Sequence, residues 1–159
     1  MLVADTGPLI AFSRIRLLDT LKAVVGELAI PPAVRRELVD AGLGRPGADL
    51  IEGAAWIKVY PLVHPLLAPG LHEGEQEAIA LAQELGIPLL IDEQRGRGAA
   101  RRRRVEIIGT LGILAMAKRQ GALAEVKPAV EALVFSGYWI SSELARNFLR
   151  LVGERAEPQ

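Results

Sequence analysis

The chain of 159 residues contains no cysteine, which excludes disulfide scaffolds, thiolate metal sites and cysteine nucleophiles. Phe, Tyr and Trp together make up 4% of it, a poor basis for a platform on which single-stranded bases stack. The two histidines, His64 and His72, stand eight residues apart in a Pro/Gly-rich loop. His72-Glu73 lacks the second histidine of a zinc-protease motif, and two loop histidines with four serines give no triad spacing. No apolar run approaches the roughly 18–20 residues that span a bilayer. The opening MLVADTGPLI has an acid at position 5 and no basic n-region, so it does not read as a signal peptide. A net charge is lacking too: 19 basic residues balance 19 acidic ones, and with half the residues apolar the composition is that of a folded chain. The expectation is one soluble, cytoplasmic domain over residues 1–153, with a frayed tail at 154–159 and no membrane contact.

What is present alternates short strands with helices. Leu2-Val3-Ala4 is an apolar run ending on Asp5, and Thr6-Gly7-Pro8 opens a helix. A second helix fits Leu17 to Val25, and Leu28-Ala29-Ile30 is a brief strand stopped by Pro31-Pro32, from which a helix runs from about Ala33 to Ala41. Gly42, Gly44, Pro46 and Gly47 mark a loop, Asp49 to Ala55 a short helix, and Trp56 to Tyr60 a strand. Glu75 to Leu85 forms a helix closed by Gly86, and Ile87 to Ile91 a buried strand ending at Asp92. Gly98 to Arg104 reads as helix, Val105 to Ile108 as strand, and Thr110 to Gln120, Val126 to Phe135 and Ser141 to Val152 as three further helices. Such alternation predicts an α/β fold with a parallel sheet covered on both faces.

Charge is balanced in sum but not in place. Between Lys58 and Arg95 there is no Lys or Arg, whereas Glu73, Glu75, Glu77, Glu84, Asp92 and Glu93 all fall there. Directly afterwards come Arg95, Arg97 and the run Arg101 to Arg104, and 15 of the 19 basic residues are Arg, whose planar fork suits phosphate. An Arg run can equally be a solvated helix face.

Ligands of open α/β sheets bind outside the carboxyl ends of the strands. Asp5 and Asp92 each end an apolar strand, Glu37 lies in the helix after the second strand, and Glu75 lies in the first turn of the helix entering the fourth. Taken singly, Asp5 reads as a helix N-cap, Glu37 as an exposed partner of a nearby Arg, Glu75 as a first-turn acid and Asp92-Glu93 as a turn. Taken together they place several carboxylates at one sheet edge, where mutual repulsion calls for a cation. Oxygen donors without Cys or paired His select a hard ion, Mg2+ or Mn2+. Other motifs fail: Gly96-Arg97-Gly98-Ala99-Ala100-Arg101 lacks the third glycine of a dinucleotide fingerprint, and no P-loop occurs. A haloacid dehalogenase-type phosphatase needs an aspartate where Gly7 stands.

The segments VADTGPLIAFSRI, IPPAVRREL, LHEGEQEAIALA, LLIDEQRGRGAA, IIGTLGILAMAKRQG and VKPAVEALVFSGYWISSELARNFL cover nearly the whole chain. In this order and spacing the chain resembles the PIN-domain family of metal-dependent ribonucleases, in particular its toxin-like, VapC-type branch. The resemblance implies a three-layer fold, with a central parallel sheet of about five strands flanked by helices. It implies a catalytic set of Asp5, Glu37, Glu75 and Asp92, of which Asp5, Glu75 and Asp92 hold Mg2+ or Mn2+, with Glu93 as the alternative fourth acid. Glu75 is a glutamate where many relatives of the wider family have aspartate. Arg95, Arg97, Arg101 and Arg102 are then expected to hold RNA phosphates, the partners being RNA, a small antitoxin protein and a second copy of the chain. The alternative is an inactive PIN-like module that binds RNA or protein. Leu144, Phe148 and Leu151 with Trp139 offer a candidate two-fold patch, if not absorbed by the core.

Overall fold

The computed structural model describes residues 1–42, 51–64 and 68–155. Strand β1 (Leu2–Ala4) leads into α1 (Thr6–Arg14) and α2 (Leu18–Val25), then β2 (Leu28–Ile30), α3 (Pro32–Gly42) and β3 (Ile57–Val59). The second half runs α4 (Glu73–Leu85), β4 (Leu89–Leu90), α5 (Gln94–Arg102), β5 (Ile107–Ile108), α6 (Thr110–Arg119), α7 (Lys127–Phe135) and α8 (Ser142–Leu151). The glycine-rich loop from position 43 and the start of the helix expected at 49 lie outside the described residues.

All strand pairings are parallel, in the order β3-β2-β1-β4-β5. This is the five-stranded, helix-flanked sheet expected from the alternation. Each central strand is only two or three residues long, but those residues are buried, so the sheet is held by packing on both sides. Phe12 and Leu9 of α1, Leu21 of α2, Ile79 and Leu81 of α4, and Ile113 and Leu114 of α6 are fully buried against it.

The strand order decides where function can sit. From β1 the chain winds outward through β2 and β3, then returns to the other side of β1 to lay down β4 and β5. The winding reverses between β1 and β4, where Val3 pairs with Leu89 and Ala4 with Leu90. Helices leave β1 and β4 in opposite directions there and open a crevice at the carboxyl ends. Asp5 and Asp92 sit at its lip; the Asp5 amide still donates to Leu90 O at 3.0 Å.

Helix α5 differs from the expected span. It starts at Gln94 rather than Gly98, because Glu93 caps it by accepting from the Arg95 amide. It ends at Arg102 because Arg104 turns left-handed (φ 60°) and the Val105 amide returns to Ala100 O at 3.0 Å. Glu154, at the start of the expected tail, has partners in the helices. Glu154 accepts from Lys118 Nζ at 2.6 Å and from the Val126 and Lys127 amides at 2.8 Å each, closing the α6–α7 turn. No helix among the described residues is long and apolar enough to cross a membrane.

Candidate active site

The crevice between β1 and β4 gathers the four acids singled out in the sequence. Asp5 is buried at the end of β1, in the N-cap position of α1, yet its side chain makes no capping bond to that helix. The cap reading of Asp5 therefore fails. Burial pushes the Asp5 carboxyl up to about 7; the Thr6 amide offsets part of this, and the charges of Glu75, Glu37 and Asp92 each raise it further. Those three charges reach Asp5 only because α3, α4 and the end of β4 converge on it.

Each of the other acids is held by its own partners. Glu37, on α3, does not pair with the neighbouring Arg36, whose guanidinium goes instead to Glu73 at 2.8 Å. It accepts from the Thr6 hydroxyl and, at 3.0 Å, from the Gly74 amide at the start of α4. Gly74 is required here: a Cβ built on it would stand 2.5 Å from Glu37 Oε1 and 2.7 Å from Oε2. The α3–α4 contact is fixed further by Glu77, which accepts from the Ala33 amide at 2.7 Å.

Glu75 performs two tasks. Its Oε2 accepts from the His72 amide at 2.9 Å, as a first-turn acid does. Its Oε1 is buried without a hydrogen-bond partner, the single such side-chain atom among the described residues. Leaving a buried charged oxygen unpaired costs upwards of about 1–3 kcal/mol, so the position calls for a ligand. Gly96 makes room for it, since a Cβ there would lie 3.0 Å from Glu75 Oε1 and 2.5 Å from Ile91 Cδ1.

At the fourth position the structure separates Asp92 from Glu93. Glu93 is exposed and capped onto α5, while Asp92 faces the crevice and adds to the field on Asp5. Asp92 Oδ1 accepts from the Thr110 amide at 2.8 Å and Oδ2 from the Thr110 hydroxyl at 2.7 Å. Thr110 thus spends its side chain on Asp92 rather than on capping α6, whose N-cap is Gly109. Burial, and then the charge of Asp92, hold the proton of the half-buried Tyr138 hydroxyl above the usual phenol range.

The arginines divide. Arg97 is turned inward: its Nη1 donates to Ile91 O at 2.8 Å and lies beside Asp92 above Gly109. It is thereby committed to the end of β4 rather than aligned with the outward-facing arginines. Arg95 and Arg102, with Gly98 and Ala99, line a cleft of about 360 Å³ against Ala68–Leu71. Arg101 is exposed outside that cleft.

Thr6, Thr110, Tyr138 and the glycines 74, 96 and 109 were not recognised as site residues in the sequence. A signal existed for the threonines, since Asp5-Thr6 and Gly109-Thr110 both stand where a strand passes into a helix. Nothing local marks Tyr138, which arrives from the far end of the chain.

An open parallel sheet with a buried acidic crevice at its switch point defines a class of α/β proteins that bind charged ligands at that edge. The chain belongs to the PIN-domain family: the family model described as "DUF3368: PIN domain" matches residues 1–154. PIN domains are generally nucleases. Among solved structures the chain is similar to a PilT N-terminus domain protein, SSO1118, of the hyperthermophilic archaeon Sulfolobus solfataricus. That similarity has a TM-score of 0.52 at 22% identity and covers 74% of this chain and 93% of that one, a likeness of fold. No curated protein matches the chain.

A divalent cation is the group this family's chemistry implies. Among the described residues no three acids or histidines already form a cage around one point. Glu37 and Asp92 are drawn toward Thr6, Gly74 and Thr110 by the bonds described above. The donor chemistry nonetheless fits: the four acids offer oxygen donors, Glu75 Oε1 is unpaired, and Asp5 is raised by burial and, after it, by the charges of its acidic neighbours.

Proposed function

We propose that the protein is a divalent-metal-dependent endoribonuclease, with Asp5, Glu37, Glu75 and Asp92 as its catalytic acids. The observation that carries this reading is the buried, unpaired Glu75 Oε1 next to Asp5, whose carboxyl feels the charge of the other three acids. Asp5, Glu75 and Asp92 would hold Mg2+ or Mn2+, which when bound activates water and neutralises charge at the scissile phosphate. Glu37, held by Thr6 and Gly74, would contribute its carboxylate as a proton acceptor at the edge of the same site. The reaction is hydrolysis: water adds to phosphorus, the P–O bond to the leaving ribose oxygen breaks, and that oxygen takes up a proton. No histidine is needed for these roles. The direct test is cleavage of a mixed RNA pool in Mn2+. Loss of cleavage with chelator and its recovery on adding metal back supports the reading; cleavage indifferent to chelator contradicts it.

Arg95 and Arg102 lie along the cleft beside α5 and suit the phosphates flanking the cut, with Arg101 further out on the same helix. Replacing Arg95 and Arg102 together by Ala is expected to flatten the slope of log affinity against log salt by about 2, one unit for each lost phosphate contact. An unchanged slope makes this face inert.

The reading extends to biology. A nuclease reading little sequence is harmful when free, so the protein is proposed as the toxin of a toxin–antitoxin pair, its small antitoxin covering the acidic crevice. A second copy of the chain is proposed on the C-terminal helices, where Phe135 is 96%, Trp139 84% and Leu151 83% exposed. Phe148 lies in the core, the alternative its helical spacing also allows. Expression of the chain alone should arrest growth, and Asp5→Asn should relieve it. Sedimentation at micromolar concentration should give a dimer that Trp139→Asp converts to monomer. Equal harmlessness of both forms and a monomeric wild type would contradict these proposals.

A further inference from the structure

A second cleft lies at the opposite edge of the sheet from the acidic crevice. Helix α1 carries the chain back from the carboxyl end of β1, so its last turn reaches the amino-terminal edge. Trp56, directly before β3, stands at the same edge, where its carbonyl accepts from the Leu28 amide at 3.0 Å. Arg16, Asp19, Lys22, Trp56 and the short residues 53–55 line a cleft of about 340 Å³ there, within the roughly 300–1,000 Å³ of small-molecule sites. Its far wall is closed by Ala54 N–H to Ile51 O at 3.1 Å and Ile57 N–H to Ala54 O at 2.9 Å.

Arg16 is the unusual member. Helix α1 ends in a Schellman motif, with Arg16 N–H on Ser13 O at 3.1 Å and Leu17 N–H on Phe12 O at 2.9 Å. The motif needs a left-handed residue, normally glycine, and Arg16 takes that position with φ 57°. Positive φ among the described residues otherwise falls on glycine, save for Arg104 in the arginine run. An arginine held where glycine would fit without strain points to a use for its side chain. Neither Arg16, Lys22 nor Asp19 has a side-chain hydrogen bond or ion pair among the described residues. Asp19 and Lys22, three positions apart, share one face of α2. Trp56 is half-buried, packed against the core while it lines the cleft.

We propose that this cleft binds a ribonucleotide, with Arg16 and Lys22 on its phosphate, Asp19 on the ribose hydroxyls and the Trp56 indole against its base. Two unpaired cations suit a phosphate, and the planar fork of Arg16 can hold two of its oxygens. A carboxylate beside them would repel a bare anion, but it accepts from ribose hydroxyls as acids in nucleotide sites do. An indole stacks on any base, and one indole serves one base where a strand would need several. The site stands apart from the catalytic acids and does not depend on them. Its ligand is a free mononucleotide or one unit of an RNA chain, which share this chemistry.

The test follows Trp56 fluorescence in a Trp139→Phe background, where Trp56 is the one remaining tryptophan. Chelator is present throughout, so that RNA stays intact. The probes are AMP, its 2′-deoxy analogue, a short oligoadenylate, and inorganic phosphate as competitor. Saturable quenching is expected, weaker with the 2′-deoxy analogue, with inorganic phosphate displacing AMP only at tenfold or more higher concentration. Saturation by AMP identifies a free nucleotide as ligand, and saturation by oligoadenylate alone identifies a unit of an RNA chain. Arg16→Gly should weaken binding about tenfold or more, with a melting temperature equal to or above that of the parent, because glycine relieves the left-handed strain. No response to AMP or oligoadenylate, undiminished affinity in a folded Arg16→Gly, or inorganic phosphate competing as well as AMP overturns the proposal. Should Arg16→Gly fail to fold, Lys22→Ala, at an exposed position of α2, carries the same expectation and the same refutation.

Discussion

Asp5→Asn should abolish RNA cleavage and, in metal-free protein above pH 7, make the fold more stable than wild type. The first effect follows from removing a central carboxylate; several kcal/mol of transition-state stabilisation corresponds, at 1.36 kcal/mol per decade, to about a thousandfold or more in rate. The second follows from the direction of the Asp5 shift. Its carboxyl titrates at about 7 in the folded chain, against about 3.9 in an unfolded one. Between those values the folded state holds a proton that the unfolded state has lost, so stability falls as pH rises through the window. The loss is at most about 4 kcal/mol, and it is flat below and above the window. Asn cannot lose that proton, so the stability gap between variant and wild type should widen from pH 4 to pH 7 and then level off. Urea unfolding of both proteins in chelator at pH 5 and pH 8 reads this directly. A gap that is constant, or that favours wild type at pH 8, would make Asp5 a structural residue.

Gly74→Ala should lower cleavage about 10–100-fold by moving a carboxylate that the variant itself does not alter. Its Cβ would enter within 2.7 Å of both Glu37 oxygens, and Glu37 has little room to yield because Thr6 and the Gly74 amide hold it. Overpacking of this kind also costs about 1–3 kcal/mol of stability. Gly7→Ala is the matched control, since a Cβ there meets nothing within 4 Å; in the first turn of α1 it should be neutral or slightly stabilising. Equal activity of Gly74→Ala and wild type would mean that the position of Glu37 does not matter to the chemistry.

The parts of this architecture legible in the sequence were those written in periodicity and strand ends. The apolar runs 2–4 and 28–30 are β1 and β2, and acids following apolar runs mark the sheet edge without any knowledge of the topology. The Asp92–Glu93 ambiguity was not soluble there, because the choice depends on where α5 begins, and that is set by Glu93 capping the Arg95 amide. The Arg run likewise looked uniform in the sequence. In three dimensions Arg97 turns to Ile91 O, while Arg95 and Arg102 face the cleft. Helix periodicity put Phe148 in one stripe with Leu144 and Leu151, but the packing of α8 takes Phe148 into the core and leaves Leu151 outside. Tyr138, at the end of α7, feels the charge of Asp92 from 46 positions away in the sequence, and no local pattern announces that neighbourhood.

In the proposed function, a divalent cation completes the cluster of carboxylates at the β1–β4 switch. Calorimetric titration of Mn2+ into metal-free wild type and Asp5→Asn, at pH 6.5 in two buffers of different ionisation enthalpy, tests it most directly. The account predicts saturable binding by wild type with release of protons, because a cation displaces the proton that Asp5 holds at this pH, and at least tenfold weaker binding without that release in Asp5→Asn. Equal binding by the two proteins, or none by wild type, would contradict it.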